Sequence, residues 1–173
     1  MESQVRVDLV RRAQSGNLDA LTELYTAYAD SVYRVAVRLM SSSGDAEDVV
    51  QDVFIGLPEA LRKYEHRGDL GAWIRRVAAR TALMKLRRLR RKAEVPLDAT
   101  ELAAPSRSET ARLTVETALS RLPVSLRAVF VLREIEGYSH GEIGGILGIG
   151  VGASKVRLHR ARRLLRDFLE QHG

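Results

Sequence analysis

The stretch 137–166, GYSHGEIGGILGIGVGASKVRLHRARRLLR, decides the fold. Its spacing predicts two helices joined by a tight glycine turn. Ser139 and Glu142 have the S-x-x-E spacing of a capping box, so the first helix starts at His140. Ile143, Ile146 and Leu147 give it a short apolar face, Gly148 supplies the left-handed residue that ends it, and Ile149 plugs the corner. A second helix begins near Val151. Its inner stripe runs Val151, Ser154, Leu158, Ala161, Leu165 and Phe168, at alternating steps of three and four. Its opposite face carries Ala153, Val156, Arg157 and Arg160, flanked by Lys155, His159, Arg162 and Arg163. One apolar face and one basic face, behind a short helix and a glycine turn, make the helix-turn-helix pattern. The second helix of that pattern lies in a DNA major groove. Taken alone, the stretch also fits an ordinary helical hairpin with a solvated basic face.

The 173 residues carry a formal net charge of +6, which favours a polyanionic partner. Cysteine is absent, so thiolate chemistry and disulfides are excluded. The histidines at 66, 140, 159 and 172 show no metal-ligand spacing. No nucleophile–base set and no glycine-rich phosphate loop appears. The expectation is therefore a protein that is not an enzyme and needs neither cofactor nor metal. No apolar run approaches a membrane span and no signal-peptide core opens the chain, so a soluble, cytoplasmic protein without membrane insertion is expected.

Charge divides the chain. Residues 1–92 hold 17 basic and 12 acidic side chains, residues 93–120 hold 2 and 5, and residues 121–173 hold 9 and 5. Two positive blocks flank a negative, proline-containing segment, as two nucleic-acid-binding domains on a linker would. Apolar periodicity is helical throughout. The predicted fold is all-α: two small helical domains, 1–92 and 113–173, joined by a linker at 93–112, with the helix-turn-helix in the second.

Within the first domain a short helix over 5–14 precedes a long one over 18–40, whose stripe is Leu21, Leu24, Tyr25, Tyr28, Val32, Val35, Ala36 and Leu39. Asp45 is expected to cap a third helix. Ala46, Val49, Val50, Val53, Phe54 and Leu57 form its inner side, and Pro58 is expected to kink or end it. Its other side shows Asp45, Glu47, Asp48, Gln51 and Asp52, and no basic residue occurs from 39 to 61. This acidity reads either as capping plus a solvated face or as a docking surface for a basic protein.

A polar loop, KYEHRG at 63–68, leads to a fourth helix over 70–92 that Asp69 caps. Trp73, Val77, Thr81 and Met84 are assigned to its inner face. From Arg75 to Lys92 there are nine basic residues and no acidic one, a run whose i,i+4 repulsion a phosphate backbone relieves. Trp73, the sole tryptophan, reads either as core or as a base-stacking residue. In the second domain Leu113, Ala118, Leu119 and Leu122 lead to Pro123, and Leu126, Val129, Phe130, Leu132 and Ile135 build the helix ahead of the opening stretch. Gly144 and Gly145 are expected to weaken the supporting helix, by up to about 1 kcal/mol each relative to alanine.

Three linked blocks carry a resemblance: DAEDVVQDVF (45–54), GDLGAWIRRVAARTALMKLRR (68–88) and ALSRLPVSLRAVFVLREIEGYSHGEIGGILGI…SKVRLHRARRLLR (118–166). In that order and spacing they resemble the extracytoplasmic-function (ECF) group of bacterial RNA polymerase sigma factors. The resemblance implies a protein that binds core RNA polymerase, directs it to specific promoters and helps open the DNA. It implies that Asp45, Glu47, Asp48, Gln51 and Asp52 contact the polymerase. It places Lys63, Arg67, Trp73, Arg76, Arg80, Lys85, Arg87 and Arg88 at the minus-ten element, on opened single-stranded promoter DNA. It places Ala153, Lys155, Val156, Arg157, His159, Arg160 and Arg163 on duplex DNA at the minus-thirty-five element. It also implies an anti-sigma factor as a further partner, and a linker that threads through the polymerase interior. The chain departs from the family pattern at Arg80 and Met84, where Asn and Asp are usual. It departs again at Gly150, a usual Ser cap, and at Ala153–Val156, where T-V-K-S becomes A-S-K-V.

Overall fold

The computed structural model describes residues 1–92 and 115–172. Among these the regular structure is helical: α1 Glu2–Gln14, α2 Leu18–Met40, α3 Ser43–Leu61, α4 Leu70–Lys92, α5 Val115–Ser120, α6 Val124–Phe130, a π-helical turn Val131–Ile135, α7 His140–Leu147 and α8 Val151–His172. The expected linker, 93–112, lies outside the described residues. The chain separates into two compact units. Among the described residues, one comprises Met1–Ala36 and Ser42–Ala82, and the other comprises Val37–Ser41 together with 83–92 and 115–172.

In the first unit, α1 packs on α3 through Val10 and Ala13. Gln14 Nε2 donates to the Leu61 carbonyl at 2.8 Å, satisfying one of the orphan carbonyls at the end of α3. Asn17 caps α2, its Oδ1 accepting from the Ala20 N–H at 2.9 Å. Leu24, Val32, Val35, Ala36 and Leu39 of the expected α2 stripe are buried. Leu21 and Tyr28 are half-buried, and Tyr25 is half exposed, with its ring edge-on to Phe54 at 5.0 Å between centroids.

Two expectations for α3 are corrected. The cap is Ser42, whose hydroxyl accepts from the Asp45 N–H at 3.3 Å, so Asp45 sits in the first turn rather than before it. Pro58 does not end the helix, which runs on to Leu61. Only the last turn follows it, the missing proline N–H removes one bond, and the burial of Leu57 and Leu61 offsets the loss.

In α4 Asp69 caps as expected, its carboxylate accepting from Gly71 N–H at 3.4 Å and Ala72 N–H at 3.1 Å. The inner face, however, is not Trp73, Val77, Thr81 and Met84. Leu70, Ile74, Ala78, Ala79, Ala82, Leu83 and Leu86 are buried, while Met84 is 61% exposed. The helix thus presents a mixture of alanines and larger aliphatic side chains inward. The bulkier row lies along the rim.

The second unit is built on α6 against α8. Residues 122–129 form an unbroken buried run. It includes Arg127, only 2% exposed, whose Nη1 donates to the Leu122 carbonyl at 3.3 Å. Burial, then the charge of Arg90, pulls the Arg127 pKa down to about 10, which leaves it cationic at neutral pH. The helix expected to end near Ile135 does so through the π-helical turn, in which Glu136 N–H reaches the Val131 carbonyl at 3.0 Å. Gly137, at φ +75°, then turns the chain toward α7.

Candidate nucleic-acid and polymerase interfaces

The helix-turn-helix forms as its local chemistry dictates. Ser139 Oγ accepts from Glu142 N–H at 3.1 Å and Glu142 Oε1 accepts from Ser139 N–H at 3.4 Å, completing the capping box. Gly148 closes α7 in the left-handed region (φ 69°, ψ 36°). The turn is so tight that a Cβ on Gly144 would stand 2.6 Å from the Ile149 carbonyl oxygen. Gly144 is therefore a condition of the close approach and not only a weakness in the helix, whereas a Cβ on Gly145 meets nothing.

On α8 the inner stripe holds at Ser154, Leu158 and Ala161, which are buried, and loosens to half-buried at Leu165 and Phe168. Val151 is 46% exposed and does not belong to it. The outward face is formed by Ala153, Val156, Arg160 and Arg163, all exposed, with exposed Lys155 and His159 on one flank and half-buried Arg157 on the other. Arg160 thus stands near the middle of the face and Arg157 at its edge. The face is held by one contact at its flank and one on its inner side. Arg162 pairs with Glu134 of the π-helical turn, and Ser154 Oγ lies 2.8 Å from His140 Nδ1. Burial holds the His140 pKa below the ordinary imidazole value; Arg133, Lys155 and Arg162 lower it further and Glu134 opposes them.

In α3 the acidic set is displayed opposite the buried Ala46, Val49, Val50 and Val53. Glu47, Asp48, Gln51 and Asp52 are exposed and Asp45 is half-buried. In the loop before α4, Lys63 and Arg67 are exposed, and Arg67 lies 3.9 Å from Glu65, an exposed pair of small energetic weight. Trp73, Arg76, Arg80, Met84 and Arg87 follow steps of three and four along one side of α4. Lys85 and Arg88 lie round from that row. Arg87 is committed within the second unit, its Nη2 donating to the Ile146 carbonyl at 2.8 Å.

Tyr64 is a residue the sequence reading passed over. Its ring is buried in a loop of charged residues, 5.2 Å from Trp73 and 5.1 Å from His66 between centroids. Burial raises its pKa, with Arg6 opposing and Asp69 adding to the rise. His66 takes a left-handed φ of +58° to complete the bend, uncommon for a residue with a side chain. The signal available in the sequence was a single aromatic residue inside an otherwise polar loop. For the His140–Ser154 pair there was none, since 14 residues separate the partners.

Two family matches define the class of a two-region sigma factor. The sigma-70 region 2 model matches residues 24–92 and the sigma-70 region 4 model matches residues 112–165. Sigma factor SigE of Mycolicibacterium smegmatis is 36% identical over 87% of the chain and 62% of its own length, so the chain spans under two thirds of that relative. The sigma-E factor of Escherichia coli is 32% identical over 91% of the chain and 90% of its own length. The Bartonella quintana sigma factor RpoE, solved in complex with the anti-sigma factor NepR, shares the fold. It aligns with a TM-score of 0.60 at 23% identity, over 86% of the chain and 96% of its own. The chain belongs to the ECF sigma factors of bacterial RNA polymerase, the proteins that direct the polymerase to promoters for transcription initiation. Among the described residues no helix is long and apolar enough to cross a membrane.

Proposed function

We propose that the chain carries out this work entirely by binding, as a cytoplasmic protein without catalysis of its own. Residues 1–92 dock on core polymerase and engage the minus-ten element, residues 113–173 engage the minus-thirty-five element, and residues 93–112 link them. The acidic face of α3 (Asp45, Glu47, Asp48, Gln51, Asp52) meets a basic surface of the polymerase. Lys63, Arg67, Trp73, Arg76, Arg80, Lys85, Arg87 and Arg88 hold the opened strand: cations track phosphates, and the Trp73–Tyr64 pair supports an unstacked base. On α8, Val156 or Ala153 packs against a thymine methyl and Arg160 or Arg157 reaches a guanine edge, while Lys155, His159 and Arg163 contact the backbone. An anti-sigma factor is proposed as the partner that masks these surfaces.

The observation that carries this reading is the segregation of charge. A side of α3 free of basic residues and a basic run on α4 lie in consecutive helices, and the basic reading face of α8 is exposed in full along Ala153, Val156, Arg160 and Arg163. A regulator that binds duplex DNA alone has no use for the first two. The test is transcription by bacterial core polymerase plus this protein on a duplex library, with selected promoters recovered from the transcripts. Asp48→Arg is expected to abolish co-purification with core polymerase while the variant keeps the parent's helical circular dichroism. Undiminished co-purification would show that α3 is not the docking helix.

A further inference from the structure

Ser154 interrupts the apolar inner stripe of α8 with a hydroxyl, and it is 0% exposed. A buried hydroxyl is costly unless bonded, and an aliphatic side chain fills such a place without that cost. Ser154 meets the requirement with His140, whose Nδ1 lies 2.8 Å from its Oγ. His140 is itself a fixed point. It opens α7 directly after the Ser139–Glu142 capping box, and the box settles the backbone there.

Beside the burial of Leu158 and Ala161, the following contacts help to hold α8 on its support. The Gly144–Ile149 approach sets the depth of the turn, with Ile149 N–H reaching the Gly144 carbonyl at 3.0 Å. The Arg162–Glu134 pair holds a site two turns further along α8. The His140–Ser154 bond acts at the first turn, between the outward residues Ala153 and Lys155. Apolar contacts tolerate small rotations of a helix about its axis, but a directional bond at its inner side does not.

We propose that His140, acting through Ser154, is a positioning residue that sets the rotation of α8 about its axis. It thereby determines which base edges Ala153, Val156 and Arg160 reach. This inference rests on the reading of α8 as the duplex-contacting helix. It assigns a role in specificity to a residue on the supporting helix and to one that faces away from DNA.

The test uses the full chain reconstituted with bacterial core polymerase. The probe is a pool of promoter-length duplexes randomised in the upstream segment, and the bound fraction is sequenced. His140→Ala and Ser154→Val are each expected to weaken binding of the best selected duplex roughly three- to tenfold, the range for one net hydrogen bond. Both are expected to flatten or shift the base preferences of the upstream element. The double variant is expected to match either single one, because both remove the same bond. His140→Asn, which keeps a polar atom near the Nδ1 position, is expected to recover a substantial part of the preference. Ser154→Val puts two methyls in place of the hydroxyl at a fully buried site, so its melting temperature is measured beside its binding, and weaker reading without a lower melting temperature cannot be assigned to unfolding.

Additive losses in the double variant would overturn the proposal. So would base preferences that stay unchanged while affinity merely follows melting temperature. Arg160→Ala and Arg157→Ala serve as controls. If both leave the preferences intact, the reading of α8 falls and this inference falls with it. If either control alters them while His140→Ala and Ser154→Val do not, only the inference is lost.

Discussion

The carbonyl oxygen of Ile149 stands 2.6 Å from the point where a Cβ on Gly144 would lie, whereas the same construction at the adjacent Gly145 meets no atom within 4 Å. Two neighbouring glycines of one short helix are thus under different constraints. Gly145→Ala is expected to stabilise the protein by about 0.5–1 kcal/mol, because alanine restricts the unfolded chain and suits the helix. Gly144→Ala must displace a backbone carbonyl and is expected to be less stable than Gly145→Ala by 1 kcal/mol or more. Chemical denaturation of the two variants beside the parent checks the difference. Equal stabilisation by both would show that the turn yields freely.

Tyr64 anchors the loop that precedes α4. Tyr64→Ala is expected to cost about 3–5 kcal/mol, the range for emptying a core aromatic site. Trp73 is the only tryptophan and lies 5.2 Å from the Tyr64 ring, so its emission reports on the site directly. A red shift in the native-state spectrum is expected. Opening of a promoter, followed by permanganate reactivity of unpaired thymines, should fall while duplex binding by α8 persists.

Arg160 and Arg157 differ in placement, one near the centre of the outward face and the other half-buried at its edge. Arg160→Ala is expected to relax preference at one base pair of the upstream element, at about 1–3 kcal/mol. A uniform loss on all sequences, read from competition binding at fixed salt, would assign Arg160 to the phosphate backbone.

The pH dependence of stability follows from His140. Burial, with Arg133, Lys155 and Arg162, places its folded pKa below the unfolded value near 6.5. The unfolded chain therefore takes up the proton first as pH falls. The contribution of the neutral imidazole is fully present above about pH 6.5 and is lost as pH drops through the folded pKa. Urea unfolding of the parent and of His140→Asn at pH 7.5 and 5.5 isolates this effect, because the other titrating groups cancel in the difference. The parent is expected to lose more stability on acidification than the variant.

The sequence by itself determined most of the architecture. The bounds of α2 and α4, the capping box at Ser139 and Glu142, the left-handed Gly148 and the start of α8 follow from local rules. Periodicity, caps and glycine conformations act within a few residues and leave their mark in order along the chain. The family was legible for the same reason, since its blocks are contiguous.

Tertiary structure decided the rest, wherever several neighbours compete for one side chain. It turned α4 so that Leu70, Ile74, Ala78, Ala82 and Leu86, not Trp73 and Met84, face inward. It let α3 continue past Pro58 by burying Leu57 and Leu61. It made Gly144 a requirement of the turn, drew Tyr64 inward from a charged loop, and brought His140 to Ser154. Each of these depends on what stands opposite in space, and partners 14 residues apart leave no periodic trace in the sequence.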